Sequence, residues 1–138
     1  MEERKIYITD YDIKRLNKLL EADYKIDIRD KKYLMELENE LQQARVVASR
    51  KIPKKVITMN SQVRLKDLDS GKEMVYSLVF PGQADITQNK ISILSPLGTA
   101  LIGYRTGDVI KWKAPAGLKK LKIEEIVYQP EAAGDYHL

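Results

Sequence analysis

The apolar period changes once along the chain, near Pro53, and that change limits what the chain can build. Before it the spacing is helical. Ile13, Leu16 and Leu20 recur at intervals of three and four, with Leu19 widening the stripe. Leu34, Leu37, Leu41, Ala44 and Ala48 follow as an a/d seam, against a polar face of Glu36, Glu38, Glu40, Gln42 and Gln43. After Pro53 the period is that of strands, with Val63 and Leu65 alternating with Arg64 and Lys66. A helical stripe needs a second apolar surface, and two stripes joined by a short connection supply each other's partner. The expectation is an α+β chain: an antiparallel helical hairpin (a short coiled coil) over residues 1–50, a linker over 51–58, and a compact α+β domain over 59–138.

Local signals fill in this outline. Thr9-Asp10-Tyr11-Asp12 reads as the cap of a first helix about a dozen residues and ~18 Å long. The second helix is expected from near Asp30 to Pro53, up to ~30 Å, its far end leaning on the rest of the protein. Asp69-Ser70-Gly71 joins strands over Gln62–Leu68 and Met74–Phe80 into a hairpin. A short strand from Lys90 leads to Ser95-Pro96, a cap and first-turn pair opening a small helix that Gly103 ends. Strands through Val109 and over Leu118–Tyr128 complete the domain. In the last strand Leu121, Ile123 and Glu125 are expected on one face, and Lys122, Glu124 and Ile126 on the other.

Composition removes several classes of function. There is no cysteine, and the one histidine is His137, beside the C-terminus. Disulfides, thiolate metal sites, cysteine nucleophiles and histidine triads therefore have no material. No cofactor and no bound metal are expected, and no enzyme activity. No run approaches a membrane span and no signal-peptide core is present, so a cytoplasmic protein, expected to be a monomer, is the reading. Lys plus Arg is 24 against 20 for Asp plus Glu, and the pI is near 9.1. That balance is too even for a dedicated nucleic-acid binder, although a general one is the alternative, recognisable by salt-dependent binding.

Two charged clusters stand out. Glu21, Asp23, Asp27 and Asp30, interleaved with Lys25 and Arg29, lie in the connection between the helices. They suit a solvated loop, or an acidic tip whose oxygens approach a metal ion or a basic groove. Arg45, Arg50, Lys51, Lys54 and Lys55 form the densest basic run, with no acid among residues 45–55. It suits a helix end complementing the dipole, or contact with an acidic surface or phosphates. Adjacent Glu124 and Glu125 would face opposite ways on a strand and make no catalytic dyad.

The stretch Ile93-Leu-Ser-Pro-Leu-Gly-Thr-Ala-Leu-Ile-Gly103, followed by Gly107-Asp108, resembles the Ser-Pro-x-Gly-x-Ala-Leu-x-Gly signature of the bacterial Gre transcript-cleavage factors. Val56 to Ser61 and the tail from Tyr128 to Tyr136 resemble the Rnk-type branch of that family. The resemblance implies an FKBP-like C-terminal domain without prolyl isomerase activity, and RNA polymerase as partner. It implies docking of that domain at the rim of the secondary channel, with the coiled coil entering. In the cleavage factors acidic tip residues help hold a metal ion. Here the hairpin is much shorter, and Asp23, Asp27 and Asp30 match by position only, so docking carries over and cleavage does not. The implied docking surface is Ser95, Pro96, Leu97, Gly98 and Arg105, aided by Arg45, Arg50, Lys51, Lys54 and Lys55. A regulator that excludes cleavage factors follows, with a cleavage-stimulating elongation factor as its alternative and no sequence-specific nucleic-acid contact.

Overall fold

A computed structural model of the chain describes residues 6–21, 31–114, 117–136 and 138. It opens with a strand not expected from the sequence, β1 (Tyr7–Thr9), which runs directly into helix α1 (Asp10–Glu21). Thr9 Oγ1 accepts the Asp12 N–H at 2.9 Å, capping the helix as its sequence promised. Helix α2 (Lys31–Gln43) stops ten residues short of Pro53, and Arg45–Val47 become strand β2, parallel to β1. Ala44 and Ala48 are therefore not part of a helical seam. Two adjacent β-branched residues, Val46 and Val47, lose rotamer freedom in a helix, and β1 offers their backbone an unpaired edge. The Arg45 N–H is taken by the Ile6 carbonyl at 2.9 Å. Leu16 from α1 and Leu37 and Leu41 from α2 are buried in one apolar cluster that also includes residues of the sheet.

The rest is a five-stranded sheet in the order β5-β4-β3-β7-β6. Strands β3 (Gln62–Asp67) and β4 (Glu73–Val79) form the expected hairpin. β5 (Lys90–Ser92) adds in parallel beyond β4, while β7 (Gly117–Tyr128) and β6 (Val109–Ala114) extend the sheet on the other side. One face carries Val63, Leu65, Leu78, Ile91, Ile110, Leu121 and Ile123 into the core. Helix α3 (Pro96–Leu101) covers this face with Leu97 and Leu101. Its cap is the one expected: Ser95 Oγ accepts the Gly98 N–H at 3.0 Å, with Pro96 in the first turn.

The expected alternation of β7 fails after Ile123. Leu65 pairs with Ile123, but Arg64 pairs with Glu125, so Glu124 is an extra residue. The bulge offsets the period. Ile126 packs on the core side and Glu125 faces outward, its Oε1 3.2 Å from Arg64 Nη2.

Within residues 51–58, read as a linker, part of the segment packs into the core while Lys51, Pro53, Lys54 and Lys55 stay exposed. Ile52, Val56 and Ile57 are buried, and Ile57 exchanges backbone hydrogen bonds with Gly103 and Tyr104. The C-terminal tail closes over this segment. Helix α4 (Pro130–Ala133) follows β7, and Gln129 Nε2 donates to the carbonyls of Pro53 and Val56, both at 2.8 Å. The Tyr128 hydroxyl donates to the Asp135 carboxylate, and this bond pushes Tyr128 up to about 12. Among the described residues, no helix is long and apolar enough to cross a membrane.

Candidate functional site

Where α1, the segment 56–61 and the tail meet, the protein buries charge. Asp12 is fully buried. Its Oδ2 accepts the Met59 N–H at 3.0 Å, while Oδ1 takes the Arg15 guanidinium. Arg15 lies between two rings, 3.9 Å from the Tyr11 centroid and 4.9 Å from that of Phe80. Behind it Glu131 accepts a hydrogen bond from Thr58 Oγ1 at 2.7 Å, and Thr58 also contacts Ser61 Oγ at 2.9 Å. Asp12 was legible only as a cap residue. Its place four residues before Leu16, on the buried stripe, was the signal that it points inward. Arg15 and Glu131 carried no such signal.

Burial raises both Asp12 and Glu131 above the usual carboxylate range, against the lowering influence of their hydrogen-bond donors, and for Glu131 the Asp12 charge adds to the rise. The folded state therefore holds protons that the unfolded state has released. The stabilising proton uptake is fully present below the unfolded values and is lost as pH rises through the folded ones. Asp67 and Asp85 act the other way. Hydrogen bonds hold their carboxylates low, and their contribution is lost only as pH falls through those lowered values. Glu131→Gln keeps the acceptor for Thr58 and removes the buried charge. It should raise the urea midpoint at neutral pH and flatten the rise in stability on mild acidification. Unfolding curves across the acid range test this; an unchanged pH profile would refute it.

The second feature is a basic and aromatic surface. Tyr7 pairs in register with Arg45, and parallel register places both side chains on one side of the ribbon. Arg105 stacks over the Tyr7 ring at 4.5 Å. Val56 bridges to Arg105, and the Lys55 carbonyl accepts the Thr106 N–H at 2.9 Å. These backbone pairings bring together Arg45, Lys55 and Arg105, which are all exposed. Arg50 and Lys51 lie on a 3-10 turn over Ser49–Lys51, with Arg50 over the Tyr136 ring at 5.0 Å. Lys54 is exposed beside them. The basic run from Arg45 to Lys55 lies beyond the end of α2 at Gln43. Ser95 and Pro96 are half-buried at the start of α3, whereas Leu97 and Gly98 are buried. These last two shape the surface by seating α3 and do not themselves present it. Asp23, Asp27 and Asp30 lie outside the described residues. Among the described residues, no group of three or more His, Cys, Asp or Glu could hold a metal ion.

Two family models divide the chain. One, described as Rnk N-terminus, matches residues 4–47; the other, Transcription elongation factor, GreA/GreB, C-term, matches residues 52–128. The chain belongs to the GreA/GreB family. Over 136 residues it is 39% identical to the regulator of nucleoside diphosphate kinase of Escherichia coli, covering 96% of both chains. It is 41% identical over 93 residues to transcription elongation factor GreA of Clostridium botulinum, which spans 67% of this chain and 58% of that relative. Among solved structures, the GreA/GreB elongation factor of Nitrosomonas europaea has 39% identity and a TM-score of 0.77. That likeness covers 91% of this chain and 100% of that one. GreA factor homolog 1 (Gfh1) of Thermus thermophilus has 26% identity and a TM-score of 0.50 over the same shares. These GreA/GreB relatives are named as regulators and elongation factors. In this GreA/GreB chain the buried cluster ties the two matched segments together, Asp12 lying in the first and Met59 in the second.

Proposed function

We propose that the chain is an RNA polymerase-binding transcription regulator that docks at the secondary-channel entrance and excludes transcript-cleavage factors, without promoting cleavage itself. Membership of the GreA/GreB family supports the partner. The observation that carries the rest is the shortness of the helical unit. Among the described residues, α1 has 12 and α2 has 13, which at 1.5 Å per residue is ~18 and ~20 Å. A helical hairpin of that reach, attached to an FKBP-like domain, occupies a channel mouth without delivering its tip to a deep catalytic centre. Asp23, Asp27 and Asp30 then contact the channel wall as carboxylates and hold no metal.

The docking surface in this reading is the cationic side of the N-terminal junction: Arg45, Arg50, Lys51, Lys54, Lys55 and Arg105, with Ser95 and Pro96 at its border. Arginines stacked on Tyr7 and Tyr136 are pre-ordered, which lowers the entropy lost when they meet an acidic partner. The test is a backtracked elongation complex challenged with a cleavage factor. Addition of this protein should suppress cleavage in proportion to its concentration, and the protein alone should release no cleaved transcript. Failure to bind core polymerase at low salt would overturn the docking, and cleavage by the protein alone would overturn the second half.

A further inference from the structure

The sheet has a second face, turned away from α3 and the core. Strand register builds it row by row. Lys111 on β6 lies directly opposite Lys120 on β7, and Lys122 on β7 lies directly opposite Lys66 on β3. Lys120 and Lys122 are two residues apart, so they share this face. The four ammonium groups thus spring from a lattice ~4.8 Å wide per strand and ~6.7 Å between rows. Lys111 and Lys120 are exposed, while Lys66 and Lys122 are half-buried along their stems. Ion pairs on the neighbouring strands do not neutralise them. Glu73 lies opposite Lys66, but its carboxylate is 3.7 Å from Arg64, which also holds Glu125 at 3.2 Å. Lys119 points to the other face and pairs with Asp67 at 3.3 Å. Among the described residues, none of the four lysines has an ion-pair partner.

Like charges directly opposite across strands are unfavourable, and here two such pairs are adjacent. Glu73 opposite Lys66 offsets only part of this repulsion, and an external polyanion lying on the lattice offsets the rest. We infer that this lysine face is a docking surface for the phosphate backbone of duplex DNA. Lysine is depleted from the centres of protein interfaces, which argues against an acidic protein as occupant. No aromatic residue interrupts the lattice, so the stacking that holds single strands is missing. The four point charges lack the bidentate groups that read base edges, so the contact is indifferent to sequence. A duplex presents one negative charge per ~1.7 Å, dense enough to engage all four lysines at once. The face lies opposite the side of the sheet that α3 covers, so it is independent of the polymerase docking proposed above.

The test uses the full chain and labelled duplex DNA of arbitrary sequence, titrated across a salt series. The wild-type slope of log affinity against log salt should fall by ~3.6 in magnitude in the Lys66→Gln, Lys111→Gln, Lys120→Gln, Lys122→Gln variant, at ~0.9 per phosphate released. Its affinity at low salt should drop by more than ~10-fold. Urea unfolding should show that this variant is at least as stable as wild type, because repulsion has been removed. A matched variant, Arg45→Gln, Arg50→Gln, Lys54→Gln, Lys55→Gln, should keep most of the duplex affinity. The proposal is overturned if the wild type binds no duplex, if the lysine variant keeps the wild-type slope, or if the matched variant carries the loss. Tighter binding of single-stranded RNA, or displacement of the duplex by equimolar polyglutamate, also overturns it in favour of those partners.

Discussion

Gly98→Ala should destabilise the protein by about 3 kcal/mol, a large share of the roughly 5–15 kcal/mol that holds a domain together. Helix propensity alone predicts the opposite sign, because alanine is favoured over glycine inside a helix by about 1 kcal/mol. The close approach of α3 to β5 reverses it. A Cβ at position 98 would lie 2.1 Å from the Ser92 carbonyl oxygen and 2.9 Å from the Ser92 carbonyl carbon. Both are backbone atoms, so no side-chain rotation relieves the clash. Ser92 cannot retreat cheaply, since its carbonyl accepts the Ser95 N–H at 3.0 Å and the Ser95 hydroxyl at 2.7 Å. Thr99 Oγ1 also ties α3 to the Ile93 carbonyl at 2.9 Å. Pushing α3 outward loosens Leu97 and Leu101, each worth roughly 1.5–3 kcal/mol when fully buried. Gly82→Ala is the control, because a Cβ there meets nothing within 4 Å. It should change stability by less than about 0.5 kcal/mol. Urea unfolding of the two variants measures the contrast, and equal midpoints would rule out the packing argument.

The Gly98 position also shows what could be read from sequence and what could not. Ser95-Pro96 announced a helix start because capping is a local exchange between residues three apart. Strands β3, β4 and β7 were legible for the same reason: the alternation of Val63, Leu65, Leu121 and Ile123 is written within each strand. The glycines of that stretch suit a short helix packed closely on the sheet, and Gly98 against Ser92 is that contact, although sequence alone does not name the partner. Leu97 and Gly98 were expected on a docking surface by resemblance, and both are buried. The short strands β1 and β2 failed for a different reason. Three residues are too few to show a period, and each strand exists only because the other does. That pairing ended α2 early and moved Arg45 from a helix end to the side of Tyr7. The Glu124 bulge likewise leaves no local mark, yet it decides that Glu125 meets Arg64 and Ile126 meets the core.

Asp12→Ala should cost a further about 3 kcal/mol, and it should do so unevenly across the chain. The carboxylate receives the N–H of Met59, 47 residues along the chain, while holding Arg15. Its removal strands a buried backbone donor and leaves the guanidinium, sandwiched by Tyr11 and Phe80, without its counter-charge. Arg15 already has a buried Nε with no partner, so it has no spare acceptor to turn to. The relief of Asp12's own desolvation, and of its repulsion with Glu131, offsets part of this loss. It does not cancel it, because breaking one side of a buried pair typically costs 3–5 kcal/mol and Arg15 is only partly open to water, at 24% exposure. Asp12→Asn keeps an acceptor for Met59 and should cost less than the alanine variant. Hydrogen exchange gives the reading that global unfolding lacks. In Asp12→Ala, amides of α1 and α2 should exchange faster, while those of β3 and β7 stay protected until the sheet itself opens. Uniform acceleration across both would mean that the cluster supports the whole core and does not act as the clasp between the helices and the sheet. If the clasp reading holds, the same variant should keep a folded sheet domain yet lose the fixed helical unit, and with it the suppression of factor-dependent transcript cleavage proposed above.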